Sequence, residues 1–524
     1  MKRIFNTTGT CIPTRHFMAD VSGKVDRVME MIDNGFYFTI NRPRQYGKTT
    51  MMYLLFQRMQ KNKDYLPMDI SFEGIGASTY TSASRFIPAV LDLLSMRLEF
   101  MEEKEAVSLL EKNSNIHDFG KLSRFLTEFV RESGRKVVLM IDEVDKSSNN
   151  QLFLDFLGML RTKYLGRNEG KDYSFHSVIL AGVHDIKTLK AKMRRDSEQK
   201  YNSPWNIAVD FEVDLALLPN EISAMLEEYS EERKVKMDIS FFTEYLFYFT
   251  SGYPFLVSLL CKIIDEKILP TKKKKEWNPD DLVKAVQIAL KNDNTNFDSL
   301  VKNLENNPEL YELVFNIIMN EKEYSYNRLN ALIHQGTIYG ILKEEKGKTR
   351  VHNRLYEQII YDYMSSNLET SGGIKNSAIS ASYIREDGTL DIKKIIQKFQ
   401  EFIKEQYSTK DTPFIERNGR LLFLAFIKPI INGKGFDFKE VEVSEEKRLD
   451  IVITFENQKY IIELKIWRGE VYHQEGIRQL CDYLDRQNQS KGYLLIYDLR
   501  KETGKVGEWE KIEEHGKEIY AAWV

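Results

Sequence analysis

Short apolar runs alternate with amphipathic stretches through the first half of the chain. Five runs have the length and composition of buried strands: residues 36–40, 65–71, 137–142, 177–182 and 207–211. Four stretches have the length or the apolar spacing of helices: residues 21–34, 51–56, 86–100 and 122–131. Strands that alternate with helices are typical of a parallel sheet covered on both faces. The pattern therefore predicts an α/β domain.

The second half shows different patterns. Two helical stretches, residues 310–319 and 326–334, precede two short strands, residues 340–343 and 349–352, an order typical of a winged helix. Residues 365–381 are rich in Ser, Gly and Asn without an apolar period, which indicates a linker. Beyond it come two strands, a helix and a third strand: residues 448–455, 460–466, 472–484 and 491–497. This order predicts a second α/β domain.

These patterns divide the chain into four predicted segments. They are a parallel-sheet domain (residues 1–265), a winged-helix-like domain (266–365), a linker (366–389) and a C-terminal α/β domain (390–524). A chain of 524 residues is long enough for about three domains of ordinary size, so each predicted domain can bury its own core.

Composition narrows the class of protein. The net charge is -3, from 75 Lys and Arg against 78 Asp and Glu, so contact with nucleic acid has to use local patches. Cys11, Cys261 and Cys481 lie far apart, which argues against a disulfide framework or a thiolate zinc site. No run approaches the roughly 20 apolar residues of a membrane span. We therefore expect a cytoplasmic protein without a membrane segment.

The first candidate site is the polar segment 41–50, between the first strand and the helix after it. Backbone N–H groups at a helix N-terminus point outward unpaired, and the helix dipole favours an anion there. In Gly47-Lys48-Thr49, the lysine can reach terminal phosphates and the threonine hydroxyl can ligate Mg²⁺. The phosphate-loop pattern requires glycine at position 42, where this chain has Arg42. A basic turn without a ligand is the alternative interpretation.

A second strand end supports the nucleotide interpretation. Residues 137–141 form an apolar run that ends in Asp142 and Glu143. In phosphate-loop ATPases a buried parallel strand ends in an Asp that holds Mg²⁺, and a following Glu can polarise the attacking water. The alternative is a buried strand that happens to end in a charged loop. Two partial matches at two strand ends favour an ATP site.

These segments resemble the motif series of bacterial AAA-like ATPases related to the signal-transducing STAND class. The resemblance rests on residues 43–49, 141–145, 203–207 and 251–255, and an Arg-Pro-Arg loop start is usual in the related AAA-ATPase-like family. It implies that Gly252 and Pro254 begin a lid helix near the nucleotide. The predicted nucleotide-binding residues are Arg44, Gly47, Lys48, Thr49, Thr50 and Asp142, with Glu143 catalytic and with Thr49 and Asp142 as metal ligands.

Several weaker candidates remain open. His184 follows a strand end, where it could be either a γ-phosphate sensor or an ordinary loop histidine. Arg194 and Arg195 could be a phosphate-sensing or arginine-finger pair, or they could lie at a solvated helix end. The lysine run 272–275 fits a surface loop, with a contact to a phosphate backbone as the minority interpretation. In STAND-like proteins a winged helix more often packs on the ATPase and senses nucleotide than binds DNA, and residues 351–353 lie where such a contact could form.

A second candidate site lies in the C-terminal hairpin. Side chains 463 and 465 of a strand point to one face, so Glu463 and Lys465 project together, and Asp450 at the start of the paired strand can join them. Two carboxylates can hold Mg²⁺ while a lysine orients or activates water. The alternative is an exposed, salt-bridged sheet face. Ionisable groups buried on a sheet without a task are costly, which favours a site.

This spacing resembles the PD-(D/E)XK nuclease superfamily over residues 390–505. The following segment 472–484 closely resembles the helix of the nuclease domain attached to AAA-ATPase-like proteins. The resemblance implies Asp450, Glu463, Lys465 and Gln479 as catalytic residues, with the two carboxylates as metal ligands. The superfamily's proline before the Asp is Leu449 here, and its helical Glu is not clearly placed, with Glu416 as the candidate.

The combined prediction is an ATP-binding and ATP-hydrolysing protein coupled to a nuclease that uses Mg²⁺ or Mn²⁺, with DNA as the favoured substrate. The alternative is a nucleotide-operated, STAND-like switch whose C-terminal domain binds nucleic acid or protein without cutting. A DNA-translocating motor would need an arginine finger and a ring interface, and neither is identified. The sequence leaves open DNA against RNA, cutting specificity, the activating signal and the oligomeric state, a homo-oligomer included.

Overall fold

The computed structural model of the chain describes eleven stretches and four isolated residues: 2–112, 115–146, 150–183, 205–292, 294–318, 322–370, 383, 385, 387, 389–406, 423, 450–455, 458–486, 489–500 and 505–524. The chain forms two compact units. Unit 1 comprises Met1–Asn303 and Ser325–Arg354, and unit 2 comprises Leu304–Tyr324 and Leu355–Val524. The predicted boundaries at residues 265, 365 and 389 remain predictions.

Unit 1 is built from a parallel sheet, surrounding helices and a small hairpin. Its strands are β1 (Tyr37–Asn41), β2 (Tyr65–Ser71), β3 (Lys136–Asp142), β4 (Ser177–Gly182), β5 (Leu342–Glu345) and β6 (Lys348–Val351). Its first helices are α1 (Ser22–Asp33), α2 (Lys48–Gln60), α3 (Ala83–Phe100), α4 (Lys104–Lys112), α5 (Phe119–Ser133) and α6 (Gln151–Asn168). The later helices are α7 (Pro219–Arg233), α8 (Ile239–Thr250), α9 (Pro254–Ile263), α10 (Pro279–Lys291), α11 (Thr295–Glu305), whose last two residues belong to unit 2, and α13 (Ala331–Ile338).

The main sheet confirms the predicted α/β fold. Its strand order is β1-β4-β3-β2 and every pair is parallel. Four of the five predicted strands are present, but the predicted strand 207–211 is wrong, since among the described residues it forms only an isolated bridge between Val209 and Phe38. Order β1-β4-β3 places the carboxyl ends of β1 and β3 on either side of β4. Loops from these three strand ends therefore meet at one edge.

The two inner strands of the main sheet, β4 and β3, are buried. Every residue of β4 and residues 137–141 of β3 are buried, because helices cover both faces. The helix α5 packs Leu122, Phe125, Leu126 and Phe129 against this core. Its ends follow standard capping chemistry: the Asp118 side chain accepts a hydrogen bond from Lys121 N, and Gly134 adopts the left-handed conformation after the last turn.

The segments that precede α7 and α9 meet at a close backbone approach. Gly252 has a φ of 71°, and a Cβ at this position would lie 2.1 Å from the Leu217 carbonyl oxygen. The Gly252 carbonyl accepts a 2.7 Å hydrogen bond from Leu217 N, so the two segments touch through backbone alone. Only glycine fits both the angle and the space. Pro254 then supplies the first residue of α9.

The predicted winged-helix elements differ in their bounds. The predicted helix 326–334 begins only at Ala331, because the Asn330 side chain caps it by accepting hydrogen bonds from Leu332 N and Ile333 N. The strands β5 and β6 pair antiparallel around Lys346 and Gly347. These elements belong to unit 1, while α12 (Pro308–Ile318) belongs to unit 2.

Unit 2 contains a mixed five-stranded sheet. Its elements are α12, α14 (Arg354–Thr370, whose first residue belongs to unit 1), α15 (Ile392–Gln406), α16 (Glu470–Arg486), β7 (Asp450–Phe455), β8 (Gln458–Ile466), β9 (Lys491–Tyr497), β10 (Trp509–Glu514) and β11 (Lys517–Trp523). The order is β10-β11-β9-β8-β7, with an antiparallel hairpin at each edge and parallel pairing between them. α16 packs Ile477, Leu480 and Leu484 on this sheet. The end of α14 at Thr370 lies within the predicted linker segment.

We expect Gly252→Ala to destabilise unit 1 by about 2–4 kcal/mol, from the unfavourable φ and the clash with Leu217. Gly134→Ala is the matched control, because Gly134 has a φ of 60° with nothing within 4 Å of an added Cβ, and it should cost about 1 kcal/mol. Urea unfolding of both variants measures the difference. Equal losses would show that the Leu217 contact does not matter.

Candidate functional site

The segment 41–50 forms a turn between β1 and α2. Gly47 caps α2 with a φ of 88°, and Lys48 and Thr49 are the first two helical residues. The N–H groups of this first turn have no partner within the helix, so they are available to an anion. The structure therefore places Gly47, Lys48 and Thr49 at the strand-to-helix turn that the sequence predicts.

Lys48 is the central cation of this turn. Its ammonium is buried, with 8% of the residue exposed, and donates 2.8 Å hydrogen bonds to the carbonyl oxygens of Arg42 and Pro43. Burial lowers the pKa of Lys48, while the nearby carboxylates of Asp145, Asp142 and Glu143 oppose that shift. The lysine is thus held over the loop by the two carbonyl oxygens, and the neighbouring carboxylates favour its charged form.

The end of β3 brings the predicted acids to this lysine. Thr49 Oγ1 donates a 2.9 Å hydrogen bond to Asp142 Oδ2, which joins the two predicted metal ligands. Glu143 N donates to Asp142 Oδ1 at 2.8 Å, and Glu143 itself has a φ of 55°. Burial and the charge of Asp142 raise the pKa of Glu143. Asp145, which sequence reasoning did not single out, accepts a 2.6 Å hydrogen bond from Val183 N after β4.

Arg42 replaces the first glycine of the pattern without entering the site. Its guanidinium donates to the carbonyl oxygens of Asn41 at 2.9 Å and Val213 at 2.8 Å, and lies 5.2 Å from the centre of the Phe211 ring. The side chain therefore fastens residues 211–213 beside β1. This explains how a large residue is accommodated at a position where the pattern requires glycine.

The rest of the loop is held by packing. Pro43 packs against Gly340 so closely that a Cβ added to Gly340 would lie 2.6 Å from Pro43 Cγ. The Arg44 carbonyl accepts a hydrogen bond from the Tyr253 hydroxyl. The Tyr46 hydroxyl lies 3.3 Å from His352 Nε2, within hydrogen-bond distance. The rings of Tyr46, Tyr253 and His352 are 4.7–5.7 Å apart. Residue 352 therefore contacts the loop, as the sequence suggested for residues 351–353.

A small apolar pocket adjoins the loop. It has a volume of about 80 Å³ and is lined by Gly47, Thr50, Cys11, Met51 and Pro254 among others. Thr50 Oγ1 accepts a 3.1 Å hydrogen bond from Cys11 N, which joins the N-terminal segment to α2. The pocket therefore offers an apolar surface beside the phosphate-binding turn. Arg44 does not line this pocket, and its side chain is exposed.

The second candidate site lies in unit 2 at the β7–β8 hairpin. Asp450 is paired directly with Glu463 in the antiparallel register. The Glu463 side chain is 3% exposed, and its Oε1 forms a 2.7 Å ion pair with Lys465 Nζ. Lys465 Nζ also donates a 2.7 Å hydrogen bond to Gln479 Oε1 of α16. The structure thus brings Glu463, Lys465 and Gln479 together, with Asp450 at the ladder position opposite Glu463.

Gly476 makes this arrangement possible. A Cβ at Gly476 would lie 3.3 Å from Lys465 Cε and 3.4 Å from its Cγ. The lysine stem therefore passes across α16 where the helix has no side chain. Sequence reasoning missed this glycine, although its position three residues before Gln479 on a helix was a usable signal.

Some predicted residues fall outside the described part of the chain. Glu416, His184, Arg194, Arg195 and Leu449 are among them. Among the residues that are described, no group of three or more His, Cys, Asp or Glu side chains is arranged to hold a metal ion. No helix within those residues is long and apolar enough to cross a membrane.

The parallel sheet and its phosphate-binding turn define a P-loop ATPase domain. The sequence model of the AAA-like domain family matches residues 17–362. The chain belongs to the AAA-like domain family. Among curated proteins, none matches this chain.

Several solved structures resemble the chain at low identity. The Walker-type ATPase PABY2304 of Pyrococcus abyssi is 12% identical with a TM-score of 0.46, covering 68% of this chain and 99% of its own. The ORC2 protein of Aeropyrum pernix is 10% identical with a TM-score of 0.40, covering 70% and 98%. The RuvB Holliday junction branch migration motor of Thermotoga maritima is 15% identical with a TM-score of 0.32, covering 68% and 98%. At these values the likenesses carry no functional argument.

The contact between His352 and Tyr46 generates a pH prediction. Burial lowers the pKa of His352 from 6.5 to about 4. The unfolded chain binds this proton more readily, so wild type should lose up to roughly 3 kcal/mol of stability as the pH falls from about 6.5 to about 4. His352→Gln should lack that part of the loss in urea unfolding at several pH values. His117→Gln, which removes an exposed imidazole, is the control, and identical pH profiles for all three proteins would refute the assignment.

Proposed function

We propose that unit 1 binds and hydrolyses ATP. The observation that carries the proposal is the hydrogen bond from Thr49 Oγ1 to Asp142 Oδ2 beside the buried Lys48 ammonium. A hydroxyl and a carboxylate held together are the oxygen donors that Mg²⁺ prefers, so Thr49 and Asp142 fit the ion. Mg²⁺, when bound with ATP, supplies charge neutralisation at the phosphates.

Each residue of the site has a separate task in this proposal. Lys48 and the free N–H groups of the first turn of α2 bind the terminal phosphates, and Gly47 lets the backbone approach them. Glu143 orients the attacking water and accepts its proton, which is favoured because burial and Asp142 raise its pKa. Arg44, which is exposed on the loop, would pair with a phosphate oxygen.

Two substitutions separate binding from hydrolysis. Lys48→Ala should weaken ATP binding by roughly 2 kcal/mol, about thirtyfold in Kd, because it removes the buried cation. Glu143→Gln should leave Kd near wild type and slow hydrolysis about a hundredfold. Lys61→Ala, an exposed lysine at the other end of α2, is the control. Calorimetry and phosphate release measure the two quantities, and an unchanged Kd in Lys48→Ala would overturn the site.

We further propose that unit 2 is a metal-dependent nuclease, with DNA as the favoured substrate. The support is the buried Glu463 carboxylate, which pairs with Lys465 while Asp450 occupies the opposite ladder position. Asp450 and Glu463 would hold Mg²⁺ or Mn²⁺, since carboxylate oxygens are the ligands these ions prefer, and the ion supplies Lewis-acid chemistry at the phosphate. Lys465, positioned by Gln479, orients the water beside the scissile bond.

The alternative is a switch whose unit 2 binds nucleic acid or protein without cutting. In such a domain the buried ion pair between Glu463 and Lys465 would have only a structural role. We prefer the nuclease because Lys465 contacts both Glu463 and Gln479 at 2.7 Å, and all three are residues that the nuclease resemblance implies as catalytic. Oligomeric state and the activating signal are independent of this choice.

Lys465→Ala should reduce cutting at least about a hundredfold while ATP hydrolysis stays near wild type, because only the group beside the scissile phosphate is lost. Lys511→Ala removes a half-exposed lysine of β10 and is the control. A nuclease assay with single- and double-stranded DNA and RNA, with Mg²⁺ or Mn²⁺, measures the change. Cutting by Lys465→Ala at the wild-type rate would reject the nuclease site.

Nucleotide state should also control cutting. Lys48→Ala leaves Glu463 and Lys465 intact, so a changed cutting rate in this variant reports coupling between the two chemistries. The comparison uses full-length protein with ATP, with ADP and without nucleotide. Equal rates under all conditions and in Lys48→Ala would show two independent activities.

A further inference from the structure

Helix α16 has one stripe of surface that lies beside the second candidate site. The core face of the helix packs Ile477 and Leu480 on the sheet of unit 2. Tyr472, Gly476 and Gln479 lie next to that face, because positions three, four and seven apart on a helix share one side, and Tyr472 and Gln479 are only about 20° apart around the axis. We call these three positions the open stripe of α16.

Lys465 reaches the surface of unit 2 at the open stripe. Its stem crosses the helix at Gly476, where an added Cβ would lie 3.3 Å from Lys465 Cε, and its Nζ donates a hydrogen bond to Gln479 Oε1. The Lys465 side chain is 19% exposed and Gln479 is exposed, whereas the Glu463 side chain is 3% exposed. A phosphate group would therefore approach Lys465 from the side of the open stripe.

Tyr472 adds an aromatic ring to this approach. It lies four residues before Gly476, which is about 6 Å along the helix axis. The residue is 42% exposed, and within the described part of the chain its hydroxyl forms no hydrogen bond and its ring contacts no other ring or cation. The neighbouring Val471 is 84% exposed and extends the apolar surface. The ring of Tyr472 is consequently available to a ligand.

The exposed charges around the open stripe balance one another. Between residues 468 and 479 they are Arg468, Glu470, Glu475 and Arg478. Binding to a duplex through its backbone requires a track of cations that neutralises several phosphates, and this part of the surface has equal numbers of both signs. A nucleic acid bound here would therefore gain more from contact with the ring than from the charges.

We propose that Tyr472 stacks on a base of a single-stranded nucleic acid whose phosphate lies at Lys465. In a duplex each base is already stacked on its neighbours, so only an unpaired base offers its face to a side chain. Every base has such a face, so the contact selects single strands without selecting a sequence. This inference rests on the proposed nuclease, and it specifies the class of substrate for that same site.

Fluorescence anisotropy of the full-length protein with a short labelled strand tests the stacking, with EDTA in place of metal so that nothing is cut. We expect Tyr472→Ala to raise Kd roughly tenfold and Tyr472→Phe, which keeps the ring, to stay within about twofold of wild type. Tyr173→Ala removes a tyrosine of unit 1 that is 54% exposed, and this control should bind as wild type does. DNA and RNA strands are compared in parallel. An unchanged Kd in Tyr472→Ala with both strands, or an equal loss in Tyr472→Phe, would overturn the inference.

Two further ligands separate stacking from contact with the backbone. A strand with abasic sugars keeps the phosphates and lacks the bases, so wild type and Tyr472→Ala should bind it equally. A duplex of the same length should also bind equally to both proteins. A tenfold loss on the abasic strand would assign Tyr472 to the backbone, and the same loss on the duplex would remove the preference for single strands, so either result would contradict the proposal.

Cutting is measured separately, with Mg²⁺ or Mn²⁺. Wild type should cut single strands faster than duplexes, and Tyr472→Ala should raise KM for single strands roughly tenfold while kcat stays within about twofold, because the ring binds substrate away from the scissile bond. Faster cutting of duplexes would overturn the substrate class and leave the nuclease standing. A chain that binds strands through Tyr472 but cuts none would reject the proposed nuclease and support the stacking position.

Discussion

The burial of one positive charge organises unit 1. Lys48 gives up hydration, and two loop carbonyls with a group of carboxylates compensate for it. That compensation requires the end of β3 to lie near the loop after β1, which the strand order β1-β4-β3 provides. The order in turn requires a strand buried on both faces between them, and β4 is fully buried. The electrostatics of the turn therefore depend on the packing of the whole sheet.

The sequence predicted this part well because its signals are local. Apolar runs of strand length identified β2 and β4 with their observed bounds, and the two strand ends identified Lys48 and Asp142 as neighbours. The prediction of a strand at 207–211 was wrong. Phe211 of this segment stacks on Phe38, but the segment forms only an isolated bridge to β1 and no ladder. The role of Arg42 could not be predicted, because its partner Val213 lies 171 residues away along the chain.

In unit 2 the period of two along β8 placed Glu463 and Lys465 on one face, and the structure shows them paired. The contact with Gln479 depends on how α16 crosses the sheet, and the space for it depends on Gly476. Strand periodicity carries no information on either. The helical Glu candidate, Glu416, remains a prediction.

The two units are interleaved along the chain: unit 2 begins with Leu304–Tyr324 before unit 1 is completed by Ser325–Arg354. During synthesis, unit 1 cannot fold completely until residue 354 has left the ribosome. By then Leu304–Tyr324 of unit 2 has already emerged, and it cannot fold with the rest of unit 2 until that has been synthesised. Fragments cut at a single point consequently leave one unit incomplete. A fragment ending at residue 303 lacks His352 and Gly340, which hold the phosphate-binding turn, and one starting at residue 355 lacks α12.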